Sequence, residues 1–281
     1  MGRVHGMSVM RWLASATLTL AVMTGASGLA QTPSLTKATE QLRTEIARQF
    51  GAEEQLDAAL MKAYGVELTE QKAEVSRRAL RALLFNDATP DYIAKRLMPV
   101  PRPQLSQQEV VAVVMEGILE LQVRGLQRLA PNRQALLVSH IVDMARALPP
   151  STCKALFLGQ IATKDAAELE RRFIASLPLS RFEGIVTVYR EATEAELAGY
   201  PDERTIDAKQ AKLAQKVYEE AIGKRVRAQT PKQAIARVKA DSASAPAGEV
   251  CAVMSASVQA MLDMREPYKS WQLTRFVQSM Q

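Results

Sequence analysis

The chain has 281 residues, 47% of them hydrophobic and 23% charged, and its formal net charge is +6. A chain of this length and hydrophobic content can bury a core of its own, which excludes an intrinsically disordered or fibrous protein. After the N-terminus, no apolar run approaches the roughly 20 residues that cross a bilayer, so the sequence also excludes a polytopic membrane protein.

The N-terminus has the pattern of a cleaved secretory signal peptide. Arg3 and Arg11 supply positive charge, residues 12–23 are mostly apolar, and a run of small residues follows. Gly28 and Ala30 fit the small-residue positions that precede a signal-peptidase cleavage site. We therefore expect cleavage near Ala30 and a mature chain that resides in the periplasm or is secreted.

Cys153 and Cys251 are the only cysteines of the chain. In an oxidising compartment an even number of cysteines favours a disulfide, so we expect these two to be bonded. Each one follows a proline-containing break and opens a predicted helix. A thiol activated by a helix N-terminus is the alternative interpretation.

Helical periodicity and helix-breaking residues recur along the whole mature chain, and no segment shows the two-residue alternation of a surface strand. The sequence therefore predicts an all-α bundle of about 12 short helices with one disulfide. The predicted helices cover, or begin at, 35–50, 56–64, 69–86, 89, 106, 131, 152–162, 164–177, 180, 205–228, 230, 249–265 and 269–279.

Four of the predicted helix starts carry a capping pattern. Thr89 and Thr230 each precede a proline, as an N-cap residue precedes a proline at the first helical position. Ser106 and Ser180 are each followed three residues later by a glutamate, which is the pattern of a capping box.

Two breaker-rich stretches organise the chain into segments. After the signal peptide (1–30), we predict a small N-terminal helical subdomain (31–98), a Pro-rich linker (99–105) and a larger helical bundle (106–281) tied by the two cysteines. The stretch 242–248 is rich in small residues and is expected to be flexible.

The sequence offers few candidates for catalysis. His140 has Asp143 three residues on, and Glu116 and Glu120 lie four apart on a predicted helix, where paired carboxylates could hydrolyse a glycosidic bond. The polar edge of a core helix explains the first spacing equally well, and an ordinary solvated helix face explains the second. We therefore lean towards a non-enzymatic protein. No nucleotide, metal or haem motif is present, and we expect no cofactor and no metal ion.

Positive charge is concentrated near the C-terminus. The segment from Lys209 to Lys239 contains nine basic residues and only two acidic ones. Lys209, Lys212 and Lys216 form one helical stripe. Such a stripe predicts a docking surface for an anionic partner, although a solvated helix face is an equally good interpretation.

A second candidate surface is aromatic. Tyr268, Trp271 and Arg275 share one face of the last predicted helix, and these residue types are enriched at binding hot spots. The alternative is that Trp271 simply anchors the last helix to the core.

These observations lead us to expect a non-enzymatic protein that binds another protein. Its most concrete form is an inhibitor or immunity protein that neutralises an acidic toxin or a cell-wall hydrolase. The alternatives are a chaperone-like escort of exported clients, a cell-wall hydrolase that uses Glu116 and Glu120, and a protein that binds an anionic envelope surface. We expect no nucleic acid partner.

Overall fold

The computed structural model describes residues 35–97 and 107–280. These residues form thirteen α-helices and no strand, which confirms the predicted all-α class. The predicted signal peptide (1–30) and the Pro-rich linker (99–105) lie outside the described residues. Within the described ranges, no helix is both long and apolar enough to cross a membrane.

The helices follow one another through short connections. In chain order they are α1 (Leu35–Phe50), α2 (Glu53–Tyr64), α3 (Glu70–Leu84), α4 (Ala88–Leu97), α5 (Gln107–Gly125), α6 (Pro131–Ala147), α7 (Pro150–Phe157), α8 (Thr163–Ser176), α9 (Leu179–Ala198), α10 (Ala208–Gln229), α11 (Lys232–Ala240), α12 (Ala247–Leu262) and α13 (Tyr268–Gln278).

Three predicted helix starts differ from the structure. Thr89 lies inside α4, and its hydroxyl donates a hydrogen bond to the Leu83 carbonyl (2.6 Å) instead of capping the helix. Ser180 lies inside α9. Thr230 precedes Pro231, which is itself the residue that borders α11. The fourth start, at Ser106, lies outside the described residues.

Helices α5 and α9 form the most extensive helix pair among those described. A Cβ atom added to Gly125 would lie only 1.8 Å from the carbonyl oxygen of Ala192, so the two backbones touch where a larger residue could not fit. One turn further along α9, Glu196 accepts bonds from Arg124 (2.8 Å) and Arg128 (2.7 Å) of the α5 end. The crossing is therefore fixed by close packing and by ion pairs with a buried carboxylate.

The N-terminal helices share their core with the first half of α5. Leu42, Ile46, Phe50, Leu56, Leu83, Leu84, Ile93 and Ala94 of α1–α4 form one buried cluster together with Val114 and Ile118 of α5. The division of the chain at 99–105 remains a prediction.

The central core joins the end of α5 to α6, α9, α12 and α13. Its buried members include Leu137 and Ile141 of α6, Val188 of α9, Met261 of α12 and Phe276 of α13. Helix α12 also contacts α7, α10 and α11, so it is the element on which the C-terminal helices assemble.

The two cysteines connect α7 to α12. Cys153 and Cys251 lie at disulfide-bonding distance, with their Cα atoms 5.7 Å apart. Cys153 is fully buried and packs with Ala145 and Phe157. This bond closes a segment of 98 residues in sequence separation.

The stretch 242–248, which we expected to be flexible, is held at several points. Lys154, the residue after Cys153, donates hydrogen bonds to the carbonyls of Ala243 (2.6 Å) and Ala245 (2.7 Å). The Asp241 carboxylate accepts from the backbone N–H of Ala243 (2.9 Å). Ala245 is buried, so the connection to α12 is packed onto the bundle.

Replacing Gly125 with alanine tests the α5–α9 crossing. The added methyl group overlaps the backbone of Ala192, and we expect a loss of about 3 kcal/mol in the free energy of unfolding, measured by urea denaturation. The control is Gly184→Ala in α9, where no atom lies within 4 Å of the added Cβ. That change should stabilise the helix by roughly 0.5–1 kcal/mol. Equal effects of the two variants would contradict the close approach.

Reduction of the cysteine pair tests the connection between α7 and α12. A bond that closes 98 residues should contribute about 2–4 kcal/mol, so a reductant should lower the urea midpoint of the oxidised protein. The Cys153→Ala, Cys251→Ala double variant should show the lower midpoint with or without reductant. The bond would be absent if a reductant did not change the urea midpoint and if both cysteines of the unfolded, non-reduced protein reacted as free thiols.

Candidate functional site

The predicted basic stripe is an exposed surface of α10. Lys209, Lys212 and Lys216 are all exposed, and none of them forms an ion pair with a carboxylate of the described residues. They lie on the side of the helix away from the buried Ala214. The opposite side of α10 packs against α12 and α13, so the framework leaves the stripe to solvent.

Further cations extend this surface along α10 and α11. Arg225 pairs with Asp263 (2.9 Å) and Arg237 pairs with Glu249, so these two arginines connect α10 and α11 to the α12 region. The exposed basic side chains that pair with no described carboxylate are Lys209, Lys212, Lys216, Lys224, Arg227, Lys232 and Lys239. We call these seven residues the cationic face.

Many basic residues elsewhere in the described chain are engaged in ion pairs. The clearest case is Arg77 of α3, which is buried and is surrounded by four carboxylates. These belong to Glu53, Asp57, Glu70 and Glu74. The hydrogen bonds that Arg77 donates to Glu70 and Asp57 raise the pKa of its guanidinium. In contrast to Arg77, the seven side chains of the cationic face have no carboxylate partner among the described residues.

The predicted aromatic residues lie on α13, next to α10. Tyr268 and Trp271 are both half-buried, and their rings meet edge to face with centroids 5.5 Å apart. The guanidinium of Arg265 lies over the Tyr268 ring, 5.7 Å from its centroid. The aromatic pair thus has partners of its own and still exposes part of its surface.

Arg275, which we grouped with this surface, binds the neighbouring helix. Its Nη1 donates to the carbonyl of Ala211 (3.2 Å) and to Oε1 of Gln215 (2.9 Å). The guanidinium is therefore used to join α13 to α10. One turn further along α13, Gln278 donates to the carbonyl of Arg204 (3.2 Å), just before α10 begins. The two helices consequently run antiparallel.

This pairing places the two predicted surfaces on helices that are in contact. Because α13 runs antiparallel to α10, Trp271 lies one turn from Arg275 in the direction of increasing residue number on α10. It is therefore level with the segment of α10 that follows Gln215, which includes Lys216. The stripe and the aromatic pair therefore lie on two adjacent helices. Their chemistry suits a ligand that presents negative charge.

The catalytic candidate His140 is buried and is not paired with Asp143. The Asp143 carboxylate instead binds Arg181 at the surface. The His140 ring lies against Phe173, with centroids 5.3 Å apart, and its Nε2 is 3.9 Å from Oε1 of Glu170. No described atom accepts or donates a hydrogen bond at Nε2.

Glu170 completes a polar cluster that the sequence did not reveal, in which His140 is buried and Glu170 and Tyr189 are half-buried. Its Oε1 accepts a hydrogen bond from the Tyr189 hydroxyl (2.8 Å). The cluster of His140, Glu170 and Tyr189 therefore joins α6, α8 and α9. Glu170 shares the apolar face of α8 with the buried Ala166 and Ile174, so its position in that pattern was a signal that it would be partly shielded from water.

Burial controls the ionisation of this cluster. It lowers the pKa of His140 from 6.5 to about 4, with smaller opposing effects of Asp143 and Arg181. It raises the pKa of Glu170, which the Tyr189 hydrogen bond partly offsets. Burial and the nearby Glu170 both raise the pKa of Tyr189. His140 is therefore neutral at neutral pH, and burial favours the protonated form of Glu170.

The paired carboxylates predicted for hydrolysis lie on α5. Glu116 is exposed and Glu120 is half-buried. The described residues contain no group of three or more His, Cys, Asp or Glu side chains that could hold a metal ion.

The pH dependence of unfolding tests the polar cluster. The unfolded chain protonates His140 near pH 6.5 and the folded chain only near pH 4, so stability is full above 6.5 and falls by up to roughly 3 kcal/mol towards pH 4. For Glu170, whose folded pKa is raised, the contribution is present below about pH 4.5 and is lost as the pH rises through the folded pKa.

Two variants separate these opposing effects. Glu170→Gln should keep only the loss of stability towards low pH, and His140→Leu should keep only the loss towards high pH. The measurement is the free energy of unfolding in urea at several pH values from 4 to 8. Parallel curves for both variants and the parent chain would show that neither group titrates on unfolding.

Comparison with known proteins gives no match: no family model fits the sequence, and neither the curated proteins nor the solved structures include one significantly similar to it.

Proposed function

We propose that this chain is an exported, non-enzymatic helical protein that binds an acidic protein through its cationic face. In its most concrete form it is an inhibitor or immunity protein that neutralises a toxin or a cell-wall hydrolase in the periplasm. One observation carries this proposal: seven exposed basic side chains without a described carboxylate partner lie on two successive helices, α10 and α11.

The energetics of charged surfaces support a binding role for these cations. Like charges on neighbouring turns repel one another, so the lysine stripe does not help α10 to fold. The same charges attract an anionic surface over several ångströms and accelerate its association. A surface whose charges lower the stability of the fold but speed association with an anionic partner is typical of a docking site.

The framework beneath the face supports the same role. Helix α12 underlies both α10 and α11, Arg225 and Arg237 pair with carboxylates of the α12 region, and α12 carries one of the two cysteines. A rigid support lowers the entropy that is lost on binding. The proposed export rests on the signal-peptide pattern at the N-terminus and on the cysteine pair, which suits an oxidising compartment.

The experiment compares two variants that lose the same charge at different places. Lys212→Gln, Lys216→Gln removes two cations from the face. Arg81→Gln, Arg146→Gln removes two exposed cations from α3 and α6, neither of which pairs with a described carboxylate. Each tagged protein is expressed with its leader in its own host, and the proteins bound to it are quantified by mass spectrometry at 50 and 500 mM salt.

We expect one stoichiometric acidic protein with the parent chain and with the arginine variant, and a loss of at least tenfold with the lysine variant. The partner should also be lost at high salt, because screening weakens exposed charges. Equal recovery by both variants would contradict the proposal. A broad set of exported proteins in place of a single partner would favour the chaperone-like escort.

A further inference from the structure

We propose that the occupant of the cationic face is an amphipathic acidic segment of the partner, whose carboxylates meet the α10 lysines while an apolar side chain packs on Leu213. This inference rests on the proposed function and specifies the chemistry of the partner. It distinguishes a protein segment with mixed chemistry from a uniform polyanion and from an anionic lipid surface.

Leu213 is the first observation behind this proposal. It lies within the lysine stripe and is 38% exposed, which makes it one of the few large hydrophobic side chains that the described chain leaves to solvent. Lys209 precedes it by four residues and Lys216 follows it by three, so both are its neighbours on the helix surface. A partner that neutralises these lysines must also cover an apolar side chain.

The order of charges along α10 is the second observation. The positive stripe ends at Lys216, because Glu219 and Glu220 follow within one turn and both are exposed. The amide Nε2 of Gln215 donates to Oε1 of Glu219 (2.9 Å), which holds that carboxylate on the helix surface. Positive charge resumes at Lys224 and Arg227.

This alternation selects among anionic partners. A uniform polyanion lying along α10 would be attracted by the lysines and repelled by the two glutamates. The stretch from Lys209 to Lys216 is about 10 Å long at ~1.5 Å per residue, which matches roughly two turns of a partner helix. The charges of α10 are complemented by a segment that carries carboxylates and an apolar residue within two turns. Beyond these two turns the segment should carry a neutral or basic residue, opposite Glu219 and Glu220.

The apolar contact should make a measurable difference. Covering the exposed part of Leu213 removes several tens of square ångströms from water, which corresponds to about a tenfold gain in affinity. This gain should persist in high salt, because burial of apolar surface is not screened, whereas the contribution of the lysines should decline.

The test titrates the full mature protein with three defined probes. The first is a synthetic helical peptide in which leucines recur every three or four residues among glutamates and a lysine stands at one end. The second is poly-L-glutamate of equal net charge, and the third is a vesicle of phosphatidylglycerol. Binding is measured by calorimetry or co-sedimentation at 50 and 300 mM salt.

Matched leucine variants identify the contribution of Leu213. Leu213→Ser removes the proposed contact, and Leu119→Ser removes a leucine of nearly equal exposure (39%) on α5. The parent chain and the Leu119→Ser variant should bind the Glu–Leu peptide about tenfold more tightly than poly-L-glutamate. The Leu213→Ser variant should bind the Glu–Leu peptide about tenfold more weakly than the parent chain does, and its affinity for poly-L-glutamate should be unchanged because the lysines remain.

The outcomes separate this inference from the proposed function. Equal affinity of the parent chain for the two peptides, or tighter binding to the vesicles, would overturn the inference. If that equal binding still disappeared in the Lys212→Gln, Lys216→Gln variant, the cationic face would remain a docking surface. If the lysine variant bound every probe as well as the parent chain, or if no probe bound at all, both proposals would fail.

Discussion

The contact between Gly125 and Ala192 is the constraint on which the rest of the bundle depends. It lets the backbones of α5 and α9 touch, and Arg124 and Arg128 then close the crossing on Glu196. Helix α9 also contacts α3, α4, α6 and α8. The N-terminal helices therefore contact the remainder of the fold mainly through α5 and α9, with a further contact between α2 and α8. The α5–α9 crossing in turn depends on a residue that lacks a side chain.

A series of helix–helix contacts connects the α5–α9 crossing to the cationic face. Helix α6 touches both α9 and α12, and α12 underlies α10 and α11. Arg275 of α13 holds α10 by its Ala211 carbonyl and its Gln215 side chain. The surface cations thus rest on helices that are themselves held by buried contacts, by ion pairs and by the cysteine pair. The fold uses its paired basic residues to position α10 and α11, and it leaves the others available to a ligand.

The helical class was predictable from the sequence, because helical spacing and helix breaks are local properties. The cysteine pair was predictable because the chain has only two cysteines. Helix starts were less predictable. Prolines such as Pro178 and Pro231, which border α9 and α11, define the boundaries that we assigned to Ser180 and Thr230. The role of Arg275 could not be predicted, because its bonds cross to a helix about 60 residues earlier in the sequence. Spacing shows which residues share a face, whereas packing decides what that face meets.

The bond between Cys153 and Cys251 also makes the middle of the chain a covalent ring. Helices α8, α9, α10 and α11 lie wholly within it, and so does the exposed loop between α9 and α10. A protease that cuts this loop once opens the ring and leaves the two fragments covalently joined until the bond is reduced. A cut before α7 lies outside the ring and leaves the two fragments without a covalent link. The segment that bears the cationic face would therefore stay covalently attached after a single cut in this loop.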